Sequence, residues 1–179
     1  PLDLFLKGGL SKMNEIIQKE EIRKVEKVLN IFIGVISVIG AAAHFFFAYK
    51  SSVSVAQQRV FHTFLFILVF FLYELKAQVE KKKTVGAIIN LFMVALTFAI
   101  GTYFVINMSS PIMVNRAMIG ATLPEIIMGV FLILIIMEIA RRKVGAALTV
   151  LSTVFILYAI FGRSMPAMIK HKGYTITAI

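Results

Sequence analysis

Residues 124–162 read PEIIMGVFLILIIMEIARRKVGAALTVLSTVFILYAIFG, and this stretch decides the fold. Pro124 suits the first position of a helix, and Glu125 suits the positive end of its dipole. From Pro124 to Arg142 is 19 residues, about 28 Å at 1.5 Å per residue. Residues 144–162 are another 19. Joined as one rod they would be about 58 Å long, nearly twice the hydrocarbon thickness of a bilayer. The run Arg141-Arg142-Lys143-Val144-Gly145 must therefore be a tight turn between two membrane spans.

The same reasoning works outward. Residues 28–49 are 22 residues without a formal charge, bounded by Lys27 and Lys50. Ala41-Ala42-Ala43 looks like a signal-peptide cleavage site, but the leader would be too long and further apolar runs follow. Between Arg59 and Glu74, 11 of 14 residues are Leu, Ile, Val or Phe. With Gln57, Gln58, Leu75 and Lys76 snorkelling at its ends, this run becomes a span over 57–76. Residues 85–106 form another, apolar enough to carry Asn90, Thr97 and Thr102. Residues 107–123, with Ser109-Ser110-Pro111, read as a loop. The spacing thus predicts an all-α integral membrane protein with spans near 28–49, 57–76, 85–106, 124–142 and 144–162.

Composition agrees. Of 179 residues, 59% are apolar, 16% are charged and none is cysteine. Soluble domains run near about 45–50% apolar and 25% charged. An ordinary soluble enzyme, a disordered tail and a disulfide-stapled module are excluded. The chain starts at Pro1 rather than Met, which points to a trimmed or processed start. Residues 1–27 carry Gly8-Gly9 as a loose lead-in, then Ser11 as a candidate N-cap. Met13, Ile16, Ile17, Ile22, Val25 and Leu29 make a partial apolar stripe. This predicts an interfacial amphipathic helix on the cytoplasmic face, or one feeding straight into the first span. Residues 163–179 form a tail or connector.

The net charge of +10 would raise nucleic acid as a partner for a soluble protein. In a membrane protein it follows from topology. With the N-terminus in the cytoplasm, the inside segments hold 13 Lys or Arg and the outside segments six. That is the positive-inside bias, and it puts the C-terminus outside, in the periplasm. Tyr49, Tyr73, Tyr103 and Tyr158 fall near span ends, as an aromatic belt would place them.

Ionisable groups at membrane depth are candidates for function. Ser37, Gly40, Ala41 and His44 share one helix face. They make an ion or proton site, or, as is more common, a small-residue packing face with His44 hydrogen-bonded near the interface. His62 reads as an interface residue. Three histidines without cysteine or ligand spacing make a weak metal signal, and no metal site is assigned. Glu138 can reach Arg141 and Arg142 at i+3 and i+4. The cluster is either a docking or lipid-headgroup site or a topology-fixing turn. Asn90 and Thr97 are seven apart and can face one neighbour. No nucleophile elbow, P-loop, HExxH or catalytic carboxylate pair occurs, so no catalytic residue and no cofactor is assigned.

Three segments together resemble a family: 61–74 (FHTFLFILVFFLYE), 124–162 as quoted, and 165–179 (MPAMIKHKGYTITAI). They are similar to the N-terminal region of TAXI-type permeases of the tripartite ATP-independent periplasmic (TRAP) transporters. The family frame is a Glu-x-Ala-Arg-Arg stretch, a Gly, an apolar helix ending in Tyr-Ala-x-Phe-Gly, then a Pro and a Gly-Tyr. Glu138, Ala140, Arg141, Arg142, Gly145, Tyr158, Ala159, Phe161, Gly162, Pro166, Gly173 and Tyr174 hold those positions. The chain departs at Ala146, Thr149 and Glu74, where members often have Trp, Pro and Pro.

The resemblance implies a cation-driven uptake system, usually coupled to Na⁺. A soluble periplasmic binding protein delivers an organic acid, such as a dicarboxylate, to a permease in the bacterial or archaeal inner membrane. The large permease part holds the substrate and Na⁺ sites and moves. The small part, which this chain looks like, braces it, as a separate subunit or the start of a fused chain. It would bind no substrate itself. Ser37/Gly40/Ala41/His44 and Gly145/Ala146/Ala147 are the candidate faces for the large partner. The alternative is a self-sufficient small homo-oligomeric transporter or channel, with His44 and Glu125 lining its path. The odd number of spans, which cannot divide into two equal repeats, speaks against it.

Overall fold

The computed structural model describes residues 2–50, 53–166 and 168–173. Its helices are α1 (Leu2–Tyr49), α2 (Val55–Glu80), α3 (Thr84–Asn107), the short α4 (Pro111–Val114) and α5 (Arg116–Ile119), α6 (Leu123–Lys143) and α7 (Ala146–Phe161), followed by a 3₁₀ turn, Gly162–Ser164. No strand occurs among the described residues. Helices α1, α2, α3 and α6, and α7 continued through the 3₁₀ turn to Ser164, are long and apolar enough to cross a membrane. Each helix contains one of the five spans expected from sequence, apart from the first two residues and the last residue of the fifth. The chain divides into two compact units, Pro1–Ala99 and Ile100–Ile179.

In the first unit, α1 takes the second of the two forms expected for the N-terminal helix, and it starts earlier than Ser11. It is a single helix of 48 residues, about 72 Å long and far longer than a bilayer core. No break separates an interfacial helix from the first span, so residues 12–27 feed straight into it. Ser11 caps nothing, because the helix has already begun upstream. Residues 10–30 contain no proline or glycine, and a helix this long absorbs Gly8-Gly9 at about 1 kcal/mol each. Exposed i,i+4 pairs support the polar part: Glu15–Lys19 at 3.0 Å and Glu20–Lys24 at 3.5 Å.

Helix α2 begins where Ser54 Oγ accepts the Gln57 N–H at 3.2 Å, an N-cap bond. Its buried side chains, Phe64, Ile67, Phe71, Leu72 and Leu75, recur at helical spacing. Helices α1 and α2 pack together. Gly40 makes the close approach possible, since a Cβ there would overlap the Leu65 side chain of α2. Lys82 takes a left-handed conformation in the turn to α3 (φ 54°). Its Nζ donates to Gln18 Oε1 at 3.0 Å, tying that turn to α1. Asn90 and Thr97 are both buried on α3. Asn90 donates to the Gly86 carbonyl at 2.9 Å, whereas the Thr97 hydroxyl has no hydrogen-bond partner.

In the second unit, the loop expected over 107–123 contains α4 and α5. Ser110 Oγ accepts the Met113 N–H at 3.1 Å, with Pro111 in the first turn of α4. Helices α6 and α7 pack together, joined by a turn shorter than the expected 141–145: Arg141, Arg142 and Lys143 complete α6, and only Val144 and Gly145 link it to α7. Gly145 sits in that turn with φ +109°, a conformation that a side chain would strain. The last described residues fold back over the end of α7.

Candidate functional site

Three polar clusters form among the apolar helices. The first joins α1 to α2. His44 Nδ1 donates to the Gly40 carbonyl at 2.6 Å. In the neutral ring this bond fixes the tautomer and leaves the lone pair on His44 Nε2. His62 Nδ1 meets that nitrogen at 2.8 Å. The rings sit among aromatics, with Phe61 5.6 Å from His44 and Phe66 4.6 Å from His62, centroid to centroid. A partly open cavity of about 360 Å³ lies beside them, lined by Ser37, Gly40, Ala41, His44, His62 and Leu65 among others. Sequence spacing treated the two histidines separately, since 18 residues part them. At Gly40 and His44, the face offered for a large partner is occupied by α2 of the same chain. Ser37 and Ala41 remain exposed.

The second cluster is the one that spacing identified. Arg141 grips Glu138 with two bonds, Nε to Oε2 at 2.7 Å and Nη2 to Oε1 at 2.8 Å. Arg142 Nε adds a third to Oε1 at 2.7 Å. All three side chains lie in the last turns of α6, where cations also suit the negative end of the dipole.

The third cluster was not assembled from sequence. Glu125, at the start of α6, has a side chain only 5% exposed. Its Oε2 accepts the Thr122 N–H at 2.7 Å, the reciprocal half of a capping box. Its Oε1 accepts Arg116 Nε at 3.0 Å, Arg116 Nη2 at 2.8 Å and the Tyr103 hydroxyl at 3.2 Å. Arg116 also donates to the Gly120 carbonyl at 3.3 Å. The carboxylate thus holds the loop and the end of α3 to α6. A signal was present: Arg116 is the one cation between Lys83 and Arg141, and Glu125 the one acid between Glu80 and Glu138. An apolar cavity of about 530 Å³ between α6 and α7 begins at Glu125 and runs past Met137 and Ile160.

Tyr158 and Arg163, at the end of α7 and just beyond it, meet residues 169–173 in a clasp. The Tyr158 hydroxyl donates to the Ile169 carbonyl at 2.7 Å. His171 lies edge-on to the Tyr158 ring, centroids 4.5 Å apart, and its Nε2 donates to the Tyr158 carbonyl at 3.0 Å. Its Nδ1 accepts the Gly173 N–H at 3.0 Å. Arg163 Nε reaches the Lys172 carbonyl at 2.6 Å. Gly162 gives the His171 ring its place, since a Cβ there would overlap it. Gly173 has φ +69°. Tyr174 lies outside the described residues. Ala146 and Ala147 are exposed at the start of α7, and an added Cβ at Gly145 would meet nothing within 4 Å.

No family model, curated protein or solved structure matches the chain. The chemistry of the site therefore rests on its geometry. Among the described residues no three His, Asp or Glu side chains converge as a metal cluster. Both carboxylates in the membrane helix α6 are consumed by arginines of their own chain.

Proposed function

We propose that this multi-pass membrane protein is the small, static component of a cation-gradient-driven, binding-protein-dependent transporter for organic acids. In that reading it braces a larger permease part of the TAXI-type TRAP class and catalyses no reaction. Its partners are that large part, a periplasmic binding protein and lipid, with no nucleic acid. Its place is the bacterial or archaeal cytoplasmic membrane, N-terminus inside.

The observation that carries the reading is the state of Glu125 and Glu138. A residue that conducts an ion or binds a substrate must exchange partners during the cycle. Here Glu125 accepts four bonds from its own chain, and Glu138 accepts three. Both are wired as structure. The sequence resemblance supplies the transporter class.

The test is a tagged pull-down from detergent-solubilised membranes with intact mass measurement. A larger apolar polypeptide in fixed ratio, or one fused chain far above 20.0 kDa, supports the brace. A homo-oligomer of the 20.0 kDa chain that transports unaided refutes it.

A further inference from the structure

The pairing of His44 with His62 goes beyond a helix contact. In metalloproteins a ligating histidine almost always donates its other ring N–H to a carbonyl, carboxylate or water, which fixes the tautomer and aims the free nitrogen. His44 has this arrangement. Its Nδ1–H is spent on the Gly40 carbonyl at 2.6 Å, and its Nε2 lone pair points at His62 Nδ1, 2.8 Å away. Gly40 is itself held by the Leu65 packing, so the carbonyl that orients the ring belongs to a fixed stretch of helix.

We propose that His44 Nε2 and His62 Nδ1 form a two-imidazole site for a borderline divalent cation of the Zn²⁺ class, bridging α1 and α2. Zinc–nitrogen bonds of about 2.0–2.1 Å in a tetrahedral site place two ligand nitrogens about 3.3 Å apart. The two nitrogens must separate by only about half an ångström from the hydrogen-bonded state, and the rings must turn so that both lone pairs converge on the metal beside the line joining them. His62 is exposed, so its ring has room to turn.

The proton balance is simple. In the metal-free pair His62 carries its proton on Nδ1 and donates it to His44. On binding, that proton moves to Nε2 of the same ring, which is free to meet water, and Nδ1 becomes a ligand. No net proton leaves. The neighbouring cavity of about 360 Å³ has room for water oxygens at the remaining positions, each water needing about 30 Å³.

The donor set also gives selectivity. The cavity lining contains no carboxylate. Hard cations such as Na⁺, Mg²⁺ and Ca²⁺ require oxygen donors, whereas two imidazoles suit Zn²⁺, Cu²⁺ or Ni²⁺. The chain has no cysteine to compete for them. His171 is spoken for at both ring nitrogens and serves as an internal control. The site is independent of the transporter reading, and neither ring is given a role in transport.

The experiment uses the full chain in detergent micelles, purified with a tag free of histidine and stripped with chelator. Zn²⁺ alone is titrated by calorimetry, and Cu²⁺ alone is added for electron paramagnetic resonance. One Zn²⁺ per chain is expected, with two imidazole nitrogens in the Cu²⁺ spectrum. His62→Ala and the milder His62→Gln should each lower Zn²⁺ affinity by at least about tenfold, the loss that removing even an outer-shell partner produces. Gln can keep a hydrogen bond to His44, so its loss of affinity reports coordination rather than unfolding. His171→Ala should bind as the parent chain does. Absence of stoichiometric Zn²⁺ binding, a spectrum with fewer than two nitrogens, or unchanged affinity in His62→Gln would overturn the site and leave a plain hydrogen bond.

Discussion

Replacing Arg116 with Ala tests the cluster at the start of α6 most directly. Arg116 supplies two of the four bonds to Glu125, at 3.0 and 2.8 Å. The carboxylate it leaves behind has a side chain only 5% exposed. Each charge-assisted bond is worth about 1.5–3 kcal/mol, and breaking a buried pair from one side costs about 3–5 kcal/mol. Glu125→Gln is the contrasting change. It leaves Arg116, whose side chain is 23% exposed, able to turn towards solvent, and it keeps an oxygen for the Thr122 N–H. Its expected cost is about 1.5–3 kcal/mol. The double variant should cost less than the sum, with a coupling energy of about 1.5–3 kcal/mol, in the upper range for residues in direct contact. The chain has no tryptophan, so unfolding is best followed by circular dichroism of the helices during titration of mixed micelles with a denaturing detergent. A coupling energy near zero would show that Arg116 does not hold Glu125.

Three further outcomes are expected. Glu138→Ala removes three charge-assisted bonds at the end of α6 and should weaken co-purification with a large partner more than membrane insertion; the reverse order would make the cluster a topology device only. Gly40→Leu forces a side chain into Leu65 of α2 and should cost about 1–3 kcal/mol by overpacking, with Leu65→Ala restoring much of it, as read in the same detergent titration. Gly162→Ala should displace His171 and release the clasp, raising the rate of tryptic cleavage at Lys170 and Lys172; cleavage as slow as in the parent chain would mean that the clasp does not depend on the ring.

What the sequence made legible was whatever depends on length and local spacing. The turn at Gly145 follows from two apolar runs too long to be one crossing, and Glu138 finds Arg141 and Arg142 because i+3 and i+4 lie on one helix face. The rest depends on which helices meet. His44 and His62 are 18 residues apart, and Tyr103 and Glu125 are 22 apart; no periodicity within one helix brings such pairs together. The early start of α1 was hidden for a different reason. Ser11 and Gly8-Gly9 are start and break signals when a helix is short, but a helix of 48 residues spreads their cost over many favourable neighbours. Asn90 and Thr97 are both buried, but spacing did not show where their bonds go: the Asn90 amide reaches back one turn to the Gly86 carbonyl of its own helix, and the Thr97 hydroxyl has no hydrogen-bond partner.

The difference between a brace and a moving part lies in how polar groups are satisfied at membrane depth. A moving part needs two arrangements of similar free energy. Freeing Glu125 would break four bonds and expose an uncompensated carboxylate to an apolar cavity, a cost of several kcal/mol at least. A ligand would have to repay that difference through its own differential binding before any second arrangement became populated. Glu138 is less deeply placed, with its side chain 26% exposed, but two arginines of its own helix follow it through any rigid movement of α6. Neither carboxylate is therefore poised between partners. The His44–His62 contact is the exception: one hydrogen bond between two helices, at an exposed ring, can be exchanged for a bound cation at little cost, and it is there that a small ligand could change how α1 and α2 are held together.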